Sequence, residues 1–371
     1  MTDIYTYVVY IFLLFVSVFF SCAGLSHKFQ YNPIDFRLPL KFLFPIVIIS
    51  LVVGFRYNVG VDWSGYKLYY LFIKNNTNIL YANQKWEFSY FWINKIVALL
   101  DLNYTAMFTV IAFISWYFIF KSLEVKFVPL LLFFIFTDEF FFWSMNGVRQ
   151  FVSIAIFLYS INFIINKDFK KYVFLILLAS TFHTSALLLI PVYFIPYEKI
   201  WSPYVWFVLF ISSLFIGNIP ALSDSLYPFF SKIVETFSIF QGYLSYFERG
   251  KFNASEVNLG LGYAFRIVVA FFIFYFSDKV VKEYPYLKVY FILFFIGAIA
   301  FNLVYNYQLL GRINNYFLIM RPVVLSFIAL YTFKDLRFRY FSFGLCFLYF
   351  IIFINAIYKS SNMCSPYNFS F

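Results

Sequence analysis

Long apolar blocks repeat along this chain, and they constrain its fold more than any other feature. Each block runs for roughly 16–20 residues, and short charged segments separate one block from the next. A transmembrane helix needs about 20 predominantly apolar residues, so the pattern predicts a polytopic, all-α integral membrane protein. The composition agrees with this, because 12% of the residues are charged, against about a quarter in a typical soluble domain.

The polar segments between the blocks are short. None exceeds about 45 residues, which leaves no room for a separate soluble catalytic domain. We therefore expect a single integral membrane domain over residues 1–371, acting in the membrane or at its surface. The net charge of +11 does not indicate nucleic acid, because the lysines lie in short clusters between apolar blocks, as topology signals do.

Twelve blocks are candidate spans, and two assignments decide how the chain threads the membrane. Segment 86–101 is apolar but interrupted by Asn94 and Lys95, and segment 172–195 is either one helix or two. The candidate spans are 4–23, 40–55, 105–120, 127–143, 148–166, 172–182, 184–195, 201–217, 263–281, 287–304, 313–332 and 340–357.

The basic clusters favour one threading. If 86–101 lies along the surface or re-enters, and 172–195 is two short helices meeting at His183, fifteen of the 28 lysines and arginines fall in short loops on one side. The positive-inside rule identifies that side as cytoplasmic. We therefore predict about twelve transmembrane helices with both termini outside. The fifteen residues are Lys28, Arg37, Lys41, Lys121, Lys126, Lys167, Lys170, Lys171, Lys199, Lys279, Lys282, Lys288, Lys334, Arg337 and Arg339.

This topology creates two outer loops, 56–104 and 218–262. Within the second loop, segment 226–247 has apolar residues at helical spacing on one side of the wheel and polar residues on the other. Such a pattern is typical of a helix lying on the membrane surface. We therefore predict an interfacial helix there.

In the same topology, a set of isolated polar and charged side chains lies on the outer face. Guanidinium groups match phosphate oxygens bidentately and keep their charge when partly desolvated, so several arginines indicate a phosphate or diphosphate ligand. Paired spacing of acidic or cysteine ligands is missing from the sequence, so we expect neither a metal nor another cofactor. The residues in question are Arg56, Asp62, Arg149, Gln150, His183 and Arg312, with Arg321 deeper in its span.

Each of these residues also has a purely structural interpretation. Arg149 fits an interfacial anchor, His183 fits a cap between two helices, and Arg321 fits a structural ion pair. Asp62 also fits a turn or a partner of Arg56. Arg312 and Arg321 are nine residues apart and face opposite ways on a straight helix, so a shared site requires a bend between them.

Four short motifs resemble one known family. Gly60, Asp62 and Tyr66 in "FRYNVGVDWSGY" are similar to the R-x-G-x-D-x-x-x-Y element of EpsG-like, Wzy-type O-antigen polymerases, although Arg56 is further from Gly60 than in that element. "NGVRQ" followed by "FHTSA" resembles the central block of that family, "RINNYF" its late element and "SPY" its closing element. The motifs cover most of the chain in the expected order.

The resemblance implies a GT-C-like, metal-independent membrane glycosyltransferase that polymerises undecaprenyl-diphosphate-linked repeat units on the outer face of the bacterial inner membrane. It implies His183 and Asp62 as catalytic candidates and Arg56, Arg149, Arg312, Arg321, Tyr66 and Gln150 as binders of substrate or diphosphate. The expected partners are undecaprenyl-diphosphate-linked glycans and the lipid bilayer. A chain-length regulator protein is a further candidate.

Three other functions stay open at this stage. A flippase of the lipid-linked unit usually shows internal repeats with matched broken helices, which this sequence lacks. An acyltransferase acting on sugars needs a histidine and a carboxylate near an inward-facing acyl donor, whereas both candidates here face outward. An O-antigen ligase shares the donor and differs in its acceptor, so only the motif resemblance favours the polymerase.

Overall fold

The computed structural model describes residues 3–24, 38–75, 87–198, 200–217, 260–304 and 307–370, with five isolated positions between 219 and 236. The described residues form helices joined by short turns, and an isolated antiparallel bridge joins Arg56 to Phe369. The α-helices are α1 (Ile4–Gly24), α2 (Leu40–Gly54), α3 (Trp63–Asn75), α4 (Phe88–Leu99), α5 (Tyr104–Lys121), α6 (Val128–Thr137), α7 (Phe140–Asn146), α8 (Val148–Ile165), α9 (Phe169–Ser180), α10 (Pro203–Ile216), α11 (Leu261–Glu283), α12 (Lys288–Val304), α13 (Gln308–Leu318), α14 (Met320–Lys334) and α15 (Arg339–Tyr358). Four 3₁₀ helices join them, at Val125–Phe127, Thr184–Phe194, Pro285–Leu287 and Ser361–Met363.

Six helical segments in the described part are long and apolar enough to cross a membrane. This confirms the all-helical, multi-pass membrane class, while the count of twelve spans and the GT-C-like architecture stay predictions. The six segments are Ile4–Ala23, Tyr104–Lys121, Val148–Ile165, Pro285–Val304, Leu310–Lys334 and Arg339–Tyr358.

The chain divides into two compact units, one formed by Met1–Tyr193 with Ala329–Phe371 and the other by Phe194–Ile328. Helix α8 is the centre of the first unit, where it packs between α5 and α9 and is buried along nearly its whole length. Helix α2 packs closely on α5, because Gly54 brings its backbone against Thr109 where a Cβ atom would clash. A single domain over residues 1–371 stays a prediction.

In the second unit, α10 and α11 pack with α12, and α12 packs with α13. Gly297 permits the close approach of α12 to α13, since a Cβ atom there would lie 2.6 Å from the Phe317 side chain. The Asn314 side chain donates a hydrogen bond to the Gly297 carbonyl oxygen at 2.9 Å, which fixes the same contact.

Helix boundaries follow most of the predicted blocks, but two predicted spans are divided, 313–332 between α13 and α14 and 127–143 between α6 and α7. The predicted span 127–143 is divided into α6 and α7 at Asp138, whose backbone is extended (φ −88°, ψ 176°). Its side chain accepts a hydrogen bond from the Glu139 N–H at 2.7 Å, a local contact that competes with helix continuation. The predicted interfacial helix 226–247 lies outside the described residues except for isolated positions.

Segment 172–195 shows the predicted break, while the placement of segment 86–101 along the surface or as a re-entrant segment stays a prediction. Segment 172–195 is broken around His183, with α9 ending at Ser180 and a 3₁₀ helix beginning at Thr184. Segment 86–101 contains the 12-residue helix α4, too short for a full crossing of about 20 residues. Asp168 caps the start of α9 by accepting a hydrogen bond from the Lys171 N–H at 3.1 Å. His183 follows the other end of this helix, which ends at Ser180.

Candidate functional site

The loop between α2 and α3 is built around a fully buried arginine. Arg56 donates from Nε to the Val59 carbonyl at 3.2 Å, from Nη2 to the Met145 carbonyl at 2.9 Å, and from Nη1 to the Val53 carbonyl. Its guanidinium also lies 4.2 Å from the centroid of the Phe108 ring. Burial lowers the pKa of Arg56 to about 10, which leaves the group charged at neutral pH.

These contacts indicate that Arg56 stabilises the loop by joining its backbone to neighbouring segments. Among the described residues, the hydrogen bonds of the Arg56 guanidinium go to carbonyl oxygens of three segments, not to the Asp62 carboxylate. The Trp63 indole N–H donates to the Arg56 carbonyl at 3.1 Å and closes the loop. A role of Arg56 in substrate binding stays a prediction.

Two other segments bind the loop between α2 and α3, namely the motif around Asn146 and the residues just before the closing SPY motif. Asn146 accepts the Val61 N–H on its side-chain oxygen at 2.5 Å and donates to the Asn362 carbonyl at 3.2 Å. The Gly60 N–H donates to the Met363 carbonyl at 2.8 Å. Three motifs that lie far apart in the sequence therefore form one scaffold, which positions Asp62 at the start of α3.

A second pair of segments joins at the start of α4. The Ser89 N–H donates to the Thr181 carbonyl at 2.9 Å, and the two hydroxyl groups lie 2.6 Å apart. Ser153 of α8 donates to the Ala179 carbonyl near the end of α9 at 2.6 Å. The beginning of α4, the beginning of α8 and the break after α9 are therefore held side by side.

Glu87, directly before α4, lies at the centre of this junction. Its Oε1 atom is 3.1 Å from His183 Nδ1, and its Oε2 atom forms a short ion pair with Nη1 of Arg149. The side chains of Glu87, Arg149 and His183 are 12%, 21% and 17% exposed, so the cluster is enclosed yet reachable. We call these three residues the Glu87 cluster.

Tyrosines surround the cluster. Tyr66 is buried and accepts a hydrogen bond from Arg149, whose guanidinium also lies 5.6 Å from the Tyr90 ring centroid. Tyr90 in turn stacks on Tyr69 with centroids 5.5 Å apart. Burial is the largest cause that raises the pKa of the Tyr66 hydroxyl, and the nearby Asp62 charge raises it further.

The electrostatics of Glu87 follow from its two partners. Burial alone would raise the pKa of this carboxyl, but the hydrogen bond with His183 and the positive charge of Arg149 outweigh it and lower the pKa to about 2. Glu87 is therefore ionised at neutral pH and balances the charge of Arg149. Because Glu87 and Arg149 carry opposite charges, the net charge of the cluster is close to zero when His183 is neutral.

This arrangement suits proton transfer. An ionised carboxylate only accepts hydrogen bonds, so His183 must donate through Nδ1, and Nε2 then carries the lone pair of the neutral imidazole. A base held this way accepts a proton from a hydroxyl group, and the carboxylate stabilises the imidazolium that results. Asp62 is a second carboxylate close enough to raise the pKa of Tyr66.

The predicted site residues divide between the two units. The first unit brings together Asp62, Tyr66, Arg149 and His183, and Gln150 is buried beside Arg149 at the start of α8. Arg312 lies on α13 and Arg321 on α14, both within the second unit. Ile319 separates these two helices and has backbone angles in the helical region (φ −59°, ψ −20°). A shared Arg312–Arg321 site stays a prediction.

The sequence prediction missed Glu87. Its partners lie 62 and 96 positions away, so no local spacing reveals the pairing. One signal was present, since Glu87 is one of two acidic residues in the 86–101 segment predicted to lie along the surface or re-enter, and the other, Asp101, is its last residue. In the described ranges, no group of three His, Cys, Asp or Glu side chains is arranged to hold a metal ion.

Comparison with known proteins gives one match. The chain matches the EpsG family over residues 40–369. No curated protein and no solved structure matches the chain significantly. The match begins at the first residue of α2 and ends one residue before the last described position, so it includes the loop scaffold, the Glu87 cluster and the closing segment. The chain belongs to the EpsG family, whose members are polymerases of the Wzy type.

Proposed function

We propose that this protein polymerises undecaprenyl-diphosphate-linked oligosaccharide repeat units of O-antigen or a similar surface polysaccharide. A hydroxyl group at the non-reducing end of a new lipid-linked unit attacks the anomeric carbon of the growing glycan. The bond from that carbon to the diphosphate oxygen breaks, and its electron pair leaves with undecaprenyl diphosphate. The hydroxyl proton passes to a base on the enzyme.

The observation that carries this proposal is the contact of Glu87 with both His183 and Arg149. A carboxylate–imidazole pair supplies the base that the acceptor hydroxyl requires. The adjacent guanidinium supplies positive charge where negative charge develops on the departing diphosphate. Family membership favours this reaction among the proton transfers that such a cluster can perform.

The roles of the remaining residues follow from their positions. We assign His183 as the base, with Asp62 as the second catalytic carboxylate that orients the sugar or Tyr66. The rings of Tyr66, Tyr69 and Tyr90 are buried beside Arg149 and pack against one another, so in this proposal they hold the guanidinium in position. We assign Gln150, in the first turn of α8 next to Arg149, to substrate binding.

The proposed setting is the bacterial inner membrane, with the Glu87 cluster on the periplasmic side. The basic loops, counted by the positive-inside rule, support this orientation. Arginine supplies the stabilising charge in this proposal, so the reaction runs without a metal ion or other cofactor. The partners are lipid-linked glycans, the bilayer and a chain-length regulator protein.

A deletion strain of the host bacterium tests the function. Loss of a polymerase leaves single repeat units attached to the final acceptor, whereas loss of a ligase leaves none and loss of a flippase traps units on the cytoplasmic side. Single attached units, restored to long chains by the wild-type gene, are the expected result. Either of the other two phenotypes overturns the proposal.

A further inference from the structure

The second unit contains a cavity that holds two arginines. Helices α10 to α14 line it, and its empty space is about 360 Å³, counting the part open to solvent. Arg266 of α11 and Arg321 of α14 both contribute to the lining.

Both guanidinium groups are held within an apolar frame. Arg266 lies over the Phe301 ring with its central carbon 4.6 Å from the ring centroid. Arg321 is only 8% exposed, and it is about 13 Å along the helix from Arg312 at 1.5 Å per residue. An arginine enclosed at this depth of a span is costly unless it serves a partner, a pathway or a binding site.

A fixed polar group completes the lining. The Asn302 side chain donates to the Ser213 hydroxyl at 2.9 Å and lies 3.3 Å from the Tyr263 hydroxyl, which donates to its oxygen. These contacts join α10, α11 and α12 and hold the polar edge of the cavity in place. Most of the remaining lining residues are apolar, and they include Phe210 and Phe294.

We infer that this cavity binds the phosphate or diphosphate headgroup of a lipid. Two guanidinium forks can contact several phosphate oxygens together. The aromatic and aliphatic lining suits the first segment of an attached hydrocarbon chain. An anion without a chain would leave that apolar surface uncovered, so a lipid phosphate fits the lining better than free phosphate does.

The inference rests on the proposed function for the identity of the lipid. In that reaction both substrates carry a lipid diphosphate, and the attacking hydroxyl of the acceptor is separated from its own diphosphate by the whole repeat unit. The acceptor therefore needs an anion site away from the reacting atoms. In the Glu87 cluster Arg149 pairs with Glu87, and the cavity of the second unit is lined by two further arginines.

Photo-crosslinking of the purified full-length protein tests the cavity directly. The probe is a polyprenyl diphosphate with a photoreactive group on its first isoprene unit, and labelled peptides are located by mass spectrometry. We expect labelling of α11 and α12, with at least a tenfold loss in Arg266→Gln and in Arg321→Gln. Lys282→Gln, which changes an exposed cation on α11 paired with Asp278, is the matched control and keeps wild-type labelling.

Competition identifies the ligand chemistry. Unlabelled undecaprenyl diphosphate should abolish labelling, while undecaprenol and inorganic pyrophosphate should each compete at least tenfold less well. Equal competition by pyrophosphate would indicate a site for free anions, equal competition by undecaprenol would indicate a site for the chain alone, and either result overturns the inference. Arg266→Lys and Arg321→Lys keep the charge and should retain part of the labelling.

The outcome separates this inference from the proposed function. If both glutamine variants are monodisperse by size-exclusion chromatography and label like wild type, the cavity does not bind the headgroup, whatever the polymerase assay shows. If wild-type protein labels at the cavity as expected but forms no polymer from defined substrates, the proposed function fails and the lipid phosphate site stands.

Discussion

Glu87 Oε1 lies 3.1 Å from His183 Nδ1, although 96 positions separate the two residues in the chain. The contact joins the start of the short helix α4 to the break between α9 and the following 3₁₀ helix. Both segments are interruptions in the predicted series of spans. The interruptions thus bring together a carboxylate and an imidazole, the combination that proton transfer requires.

Glu87→Gln should lower the rate of polymer formation by about a hundredfold, because the amide neither balances Arg149 nor stabilises an imidazolium at His183. The measurement is the initial rate against pH with purified enzyme at saturating substrate. The loss should be in kcat, with a changed pH profile, and Glu87→Asp should recover part of it. Lys171→Gln on the exposed face of α9 serves as the control and should match wild type. An unchanged pH profile for Glu87→Gln would mean that Glu87 does not act through His183.

The stability of the folded protein should depend on Glu87 at low pH. The folded-state pKa of about 2 lies below the ordinary value of 4.5, so the ionised carboxylate stabilises the fold fully above pH 4.5, and this contribution disappears as the pH falls through 2. The difference in Tm between wild type and Glu87→Gln in detergent should be constant above pH 5 and narrow below 4.5. A difference that widens on acidification would contradict the ion pair.

Arg56→Lys should destabilise the protein by about 3 kcal/mol, because one ammonium group cannot reach the three carbonyl groups that the guanidinium joins. Arg337→Lys, at an exposed ion pair with Asp335, is the matched control and should be neutral. The readouts are Tm in detergent and the monodisperse fraction. If Arg56→Lys melts like wild type and yet makes no polymer, Arg56 binds substrate and does not serve mainly to hold the loop.

Gly60→Ala and Gly65→Ala should have opposite effects on Tm. Gly60 has a φ of 101°, and a Cβ atom there would lie 3.1 Å from the Asn146 side-chain oxygen, so alanine should cost about 1–3 kcal/mol. Gly65 is in helix α3, and a methyl group added there would meet no neighbouring atom within 4 Å, so alanine should stabilise by about 0.5–1 kcal/mol. Equal effects at the two positions would show that the loop tolerates a side chain at Gly60.

Most of the helical pattern could be predicted from the sequence because apolar length and basic loops are local signals. The break at His183 is an example, since its prediction required only the side on which later lysines fall. Asp138 shows the limit of that reasoning. One acidic residue within an apolar block divides α6 from α7, and block hydropathy averages over it.

The candidate site was predictable only in part, for a physical reason. Arginine and histidine are rare in membrane segments because placing them there costs free energy, so Arg149 and His183 were identified from residue type alone. Their partner Glu87 was not identified, because acidic residues are common in outer loops and only the folded structure shows that this one is enclosed. Arg56 and Arg149 look alike in the sequence, and only burial distinguishes a guanidinium bonded to carbonyls from one paired beside a histidine.

The proposed chemistry is best tested by a polymerisation assay with purified protein and defined undecaprenyl-diphosphate-linked repeat units, with His183→Asn and Arg149→Ala in parallel. Wild type should form a ladder of polymer and release undecaprenyl diphosphate, with or without a chelator. Both variants should be folded and at least a hundredfold slower. A wild-type ladder from His183→Asn would remove this residue from catalysis and contradict the proposed role of the Glu87 cluster.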